Sequence, residues 1–118
     1  MSVQRLHVQK RFSEIAISGN LVHLAGQLAS DTSLDISGQT RQTLDIIDQF
    51  LADAGTDKSH ILSVTIYLKD IEKDYAAFNA IWDDWVADIE ALPRTCVEAK
   101  LYHPDVLVEL TVVAVKPE

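Results

Sequence analysis

The closing stretch Asp105–Val115, DVLVELTVVAV, constrains this chain more than any other. It is rich in β-branched residues and reads as a strand, whose side chains alternate between two faces. Val106, Val108, Leu110, Val112 and Ala114 fall on one face, while Leu107, Val113 and Val115 fall on the other. A strand apolar on both sides belongs inside a sheet that is covered on both sides. Helices of the same chain can cover one face. The second asks for another subunit. Glu109 is the one charge within this run, and an ionised carboxylate among such neighbours must be paired, hydrogen-bonded or protonated. It is either half of an interface ion pair or a group kept near a ligand.

The rest of the chain supplies the layers. EIAISGNLVHLAGQLA reads as two strands joined at Ser18-Gly19-Asn20, a turn-forming cluster. Between Ile36 and Ala54, residues Thr40, Leu44, Ile47, Leu51 and Ala54 recur three or four apart on one helical face. Gly55 suits the left-handed residue just past that helix. HILSVTIYLKD alternates, with Leu62, Val64, Ile66 and Leu68 on one face and Ser63, Thr65 and Tyr67 on the other. A second helix aligns Tyr75, Phe78, Trp82, Trp85 and Ile89, turns Asp83, Asp84 and Asp88 to water, and stops before Pro93. Two β-runs, Thr95–Leu101 and Val106–Val115, follow, joined through His103-Pro104-Asp105. The predicted order is ββαβαββ, an α+β sandwich with two helices on one face of a mostly antiparallel sheet. Its length suits a single domain over residues 1–118.

A net charge of −8 disfavours nucleic acid or an anionic membrane as partner, because phosphate binding is driven by cations. Cys96 is the only cysteine, so no intrachain disulfide forms and a reducing compartment is the simplest expectation. MSVQRLHVQKRFSE has no apolar core of the kind a signal peptide needs, and no apolar run approaches the ~20 residues that span a bilayer. A cytoplasmic location is expected. His7, His23, His60 and His103 form no metal-ligand spacing, and no phosphate-cradling glycine motif is present, so neither a metal nor another cofactor is expected.

In LPRTCVEAK, Arg94 opens a strand. Such an arginine is usually a solvated edge residue, and Cys96 two residues on usually behaves as a small buried hydrophobe. The alternative is a functional role for Arg94, whose nature the spacing alone does not define.

The chain is similar to the RidA family, also called YjgF or L-PSP proteins, over nearly its whole length. The likeness rests on LVHLAGQLASD, on DISGQTRQTLDIIDQFLADAGTDKSHILSVTIYLKD, on FNAIWDDW, and on PRTCVEAKL followed by VLVELTVVAV. It implies a chorismate-mutase-like fold and a homotrimer with small-molecule sites in clefts between subunits. It also implies hydrolysis of reactive enamines and imines, of the 2-aminoacrylate and 2-iminopropionate type, to 2-keto acids and ammonia. In the resemblance Arg94 grips the substrate carboxylate, Glu109 holds the attacking water, and Cys96 lines the pocket mainly through its backbone. Gly26 approaches the ligand closely, and Asn79 matches a polar residue near the cleft. Ala25 and Phe12 stand where many members carry hydroxyl residues, and Pro93 abuts Arg94 where those members have one residue between.

Two readings follow. In the first the chain is an imine/enamine deaminase, with Arg94 fixing the carboxylate and Glu109 orienting water. In the second, prompted by Ala25 and Phe12, the same interface cleft binds or senses a small carboxylate such as a 2-keto acid without turnover. Ribonuclease activity, attached to some family names, is disfavoured by the charge and by the lack of a His pair or a basic, aromatic-rich surface.

Overall fold

A computed structural model describes residues 2–118. In chain order the elements are β1 (Val3–Val8), β2 (Ser13–Ser18), β3 (Leu21–Gln27), α1 (Ile36–Asp53), β4 (Ile61–Leu68), α2 (Ile71–Trp85), β5 (Arg94–Glu98) and β6 (Val108–Val115). The strands form one sheet ordered β1-β2-β3-β6-β4-β5. Every pairing is antiparallel except β4 with β5, which run parallel because α2 carries the chain back between them. Both helices pack on the same face of the sheet, as expected. Among the described residues no helix is long and apolar enough to cross a membrane.

The last strand sits near the centre of the sheet, between β3 and β4. Its Val108, Leu110, Val112 and Ala114 are buried beneath the helices with Ile15, Val22, Leu24, Val64, Ile66 and Leu68. From α1, Thr40, Leu44, Ile47 and Leu51, with Ala54 just past its end, close this core, all buried as their spacing predicted. Asp35 caps α1 by accepting from the Gly38 amide at 2.9 Å, and Gly55 follows in the left-handed region at φ 84°. The opposite face carries Leu21, His23, Tyr67, Val97, Thr111, Val113 and Val115, no helix covers it, and Leu21 and Val97 are exposed.

The structure departs from the sequence reading in five places. First, β1 was not expected. It is almost wholly exposed and so shows no apolar period, and its backbone pairing with β2 holds it. Second, a register shift between Ile61 and Ser63 puts Ile61 in the core and leaves Leu62 exposed, although alternation placed Leu62 inside. Third, α2 ends at Trp85, not near Ile89. Lys58, from the turn before β4, donates to the Trp85 carbonyl at 2.6 Å and pairs with Asp88 at 3.1 Å, capturing the chain there. Fourth, β6 begins at Val108. The buried Gln39 side chain accepts from the Leu107 amide at 3.0 Å and donates to the Asp105 carbonyl at 2.9 Å, holding 105–107 out of the ladder. Fifth, β5 spans Arg94–Glu98, one residue earlier at its start and three shorter at its end than predicted.

Candidate functional site

Parity within the sheet assigns each candidate residue to a face. Cross-strand partners share a face, and Arg94 lies beside Val64 and Cys96 beside Ile66, both core residues. The Arg94 and Cys96 side chains therefore emerge on the helix-covered face. There β5 is the outermost strand and α2 runs alongside it. Glu98, two residues further, accepts from the Ile71 amide at 3.1 Å, and Asp70 accepts from the Lys73 amide at 3.1 Å. These bonds satisfy orphan donors of the first turn of α2 and fix its start against β5.

With α2 so placed, Arg94 is tightly specified. Nη2 donates to Asn79 Oδ1 at 2.8 Å and to the Tyr75 hydroxyl at 3.3 Å. The guanidinium carbon lies 5.3 Å from the centre of the Trp82 ring and 5.8 Å from those of Tyr75 and Phe78. Tyr75, Phe78, Asn79 and Trp82 are three and four apart, so one stripe of α2 supplies the whole cradle. Phe78 and Trp82 stack at 6.0 Å, and Trp85 is held by donating its indole N–H to Asp48 of α1. Among the described residues Arg94 takes part in no ion pair. Its direct contacts are ring faces and neutral oxygens, and the one carboxylate lining the cleft, Glu72, makes no ion pair with it, which leaves Arg94 able to take an anion. An open cleft of about 520 Å³ lies over it, lined by Ile71, Glu72, Tyr75, Arg94 and Cys96. Burial pushes the Cys96 thiol up and Arg94 offsets this only in part, so the sulfur stays protonated at neutral pH.

Glu109 faces the other way. It lies opposite Tyr67, on the face without helices. Between Leu24 and Gln27 the register of β3 against β6 shifts, so that Gln27 lies opposite Leu110. This irregularity turns Gly26 toward Glu109, where a Cβ would fall 2.9 Å from the carboxyl carbon. Burial raises the Glu109 pKa above the ordinary carboxylate range. Ala25 is half-buried next to Gly26, and its carbonyl accepts from the Gln27 side chain at 3.0 Å. Phe12 stands 53% exposed at the turn into β2, where its carbonyl accepts from the Gln9 amide at 2.8 Å.

All the predicted residues but Phe12, which stays apart at its exposed turn, thus form two groups. Arg94, Cys96 and Asn79 gather in the α2–β5 cleft. Glu109, Gly26 and Ala25 gather on the opposite face, and within one chain the two groups do not meet. The sequence reading missed Tyr75, Ile71 and Glu72 as cleft residues. Tyr75 shares the spacing of the core stripe, yet it is 43% exposed at the open end of α2. The usable signal was a Tyr and an Asn four apart on a helix leading to Arg94. Of the histidines, His7, His60 and His103 each face an aspartate at the surface, and His23 lies on the uncovered face.

The family model described as Endoribonuclease L-PSP matches residues 2–116. A RutC family protein of Haemophilus ducreyi is 44% identical over 112 residues, 95% of either chain. The RutC family protein YoaB of Escherichia coli is 37% identical over 114 residues, covering 97% of this chain and 98% of its own. A crystal structure of a YjgF-family protein from Neisseria meningitidis superposes with a TM-score of 0.95 at 37% identity, over 100% of this chain and 98% of that one.

Proposed function

This chain belongs to the endoribonuclease L-PSP family, which includes the RidA and YjgF proteins, and from that premise we propose that it is a hydrolytic deaminase of small 2-imino and enamino acids. The carrying observation is Arg94, a guanidinium with no ion-pair partner, oriented by Asn79 and Tyr75 over an aromatic floor inside a small-molecule cleft. Such a group binds a carboxylate in one orientation, and so fixes the imine carbon bonded to that carboxylate. Water then adds to the C=N carbon, the nitrogen takes up protons, and the C–N bond breaks to leave a 2-keto acid and ammonia. An enamine enters the same path after protonation at its terminal carbon.

Glu109 is the base that orients the water, and its raised pKa suits it to exchange a proton. Since Arg94 and Glu109 occupy opposite faces of one sheet, the reaction joins the cleft of one copy to the Gly26–Glu109 face of a neighbour. The apolar uncovered face supports that assembly, read here as a homotrimer of single-domain subunits in the cytoplasm. Phosphodiester cleavage, which the family's name suggests, is disfavoured by a net charge of −8, since phosphate binding is driven by cations.

The test is keto-acid release from imines generated in situ by an amino-acid oxidase, with semicarbazide trapping the imine that survives. An unchanged trapped fraction ends the deaminase reading. The second reading, a carboxylate-binding protein without turnover, draws on Ala25 and Phe12, which carry no hydroxyl where many family members do. Binding of 2-keto acids with no imine hydrolysis would establish it.

A further inference from the structure

The Tyr75 hydroxyl, so far only a partner that orients Arg94, occupies a decisive place. Both forks by which a guanidinium grips a carboxylate use Nη2, paired with either Nη1 or Nε. The two hydrogens of Nη2 are held by Asn79 at 2.8 Å and by Tyr75 at 3.3 Å. A carboxylate must therefore take over one of them, and the longer contact to Tyr75 is the weaker. Tyr75 here accepts from Arg94, and a phenol that accepts one hydrogen bond still has its own proton to donate. Its ring forms a wall of the cleft, so an anion bridging Arg94 from that side meets the hydroxyl directly.

We propose that Tyr75 is a substrate-binding residue, which exchanges its bond with Arg94 for donation to the carboxylate of the bound imino or keto acid. This rests on the carboxylate-anchoring role of Arg94. The carboxylate then receives two guanidinium hydrogens and one phenolic hydrogen, while Asn79 keeps Nη2 in place. A neutral amide in the same position gains only about half as much, because hydrogen bonds to an ionised acceptor are about twice as strong as neutral ones. Tyr75 thus selects for a free carboxylate.

The experiment compares wild type, Y75F and R94A in the binding of 2-oxobutyrate and 2-oxobutyramide, by calorimetry. Y75F keeps the ring over the guanidinium, so its melting temperature should match wild type. Its Kd for 2-oxobutyrate should rise about tenfold, with Kd for the amide rising no more than about threefold, and KM for the imine should rise while kcat holds. If Tyr75 only competes for Nη2, Y75F binds the keto acid as tightly as wild type or more tightly, and the proposal is overturned. An equal loss for acid and amide also overturns it. Failure of R94A to weaken 2-oxobutyrate binding, or no binding by wild type, removes the anchoring role of Arg94 itself and the proposal with it.

Discussion

Gly26 lies so close to Glu109 that a side chain at position 26 would have to share space with the carboxylate. A Cβ there would contact the Glu109 carboxylate and lie 2.9 Å from its Cδ and 3.3 Å from its Cγ, all atoms of one flexible side chain. The absent Cβ is what lets Glu109 stand as it does. G26A should therefore displace the carboxylate and leave the sheet intact. We expect a change in unfolding free energy of less than about 1 kcal/mol, because the clash is relieved by rotation. Imine hydrolysis should fall by about tenfold or more, since a shift near 1 Å at a catalytic group has that order of effect. Thermal unfolding beside keto-acid release decides it: equal activity in G26A would mean that Glu109 does not act from this position.

Arg94 carries the largest expected effect. R94A removes a charge-assisted anchor, a loss of about 2–5 kcal/mol, or roughly thirty- to several-thousand-fold in kcat/KM. R94K should recover only part of this, because an ammonium keeps the charge but cannot donate two parallel bonds. N79A should cost about tenfold, as one neutral partner of the guanidinium is lost. Light scattering on each variant separates the readings. An R94A protein that loses its assembly rather than its activity would make Arg94 an interface residue.

Much of this architecture was legible in the sequence, and the failures share a cause. The faces of α1 and β6 were readable because each residue's burial follows from a local period. The true start of β6 was not, since it depends on Gln39, 68 residues away. The end of α2 depends on Lys58 in the same way. β1 escaped because an exposed edge strand needs no apolar pattern. For the site, Arg94, Cys96 and Glu109 stood out from their own surroundings, while Asn79, Gly26 and the roles of all five came from the family resemblance. That they fall on opposite faces depends on register, of β4 with β5 for Arg94 and Cys96, of β4 with β6 for Glu109, and on the shift before Gln27 for Gly26, and a slip of one residue reverses a face. Tyr75 was read as core because its spacing is that of Phe78 and Trp82, and only its place at the open end of α2 sets it apart.

With Glu109 as the proposed base, stability and activity should depend on pH with opposite signs. Its folded pKa is raised by burial, so the native state binds a proton more tightly than the unfolded chain does. Stability is then lost as pH rises from the ordinary carboxylate pKa through the raised one. E109Q should remove that loss, being more stable than wild type at neutral pH and indistinguishable below the unfolded-state value. Hydrolysis runs the other way. The ionised form is the base, so wild-type kcat/KM should climb with pH through the raised pKa, and E109Q should lack that limb. Urea unfolding and pH–rate profiles measure the two halves, and an acid limb that survives in E109Q would assign the base elsewhere.

The last prediction concerns whether the site is shared. Arg94 lies beside Val64 and Glu109 beside Tyr67, on opposite faces of the sheet, so no motion short of unfolding brings them together in one chain. R94A and E109Q should each be nearly inactive as pure proteins. In oligomers refolded from an equimolar mixture, a site is intact when its Arg94 comes from an E109Q chain and its Glu109 from an R94A neighbour. Random assembly produces that pairing at about one site in four, so about a quarter of wild-type activity should return. V113D, which sets a charge on the apolar uncovered face, should yield a 13.1 kDa monomer that is inactive despite an intact Arg94 cradle. No recovery on mixing, or an active monomer, would place the whole reaction within one chain and detach it from Glu109.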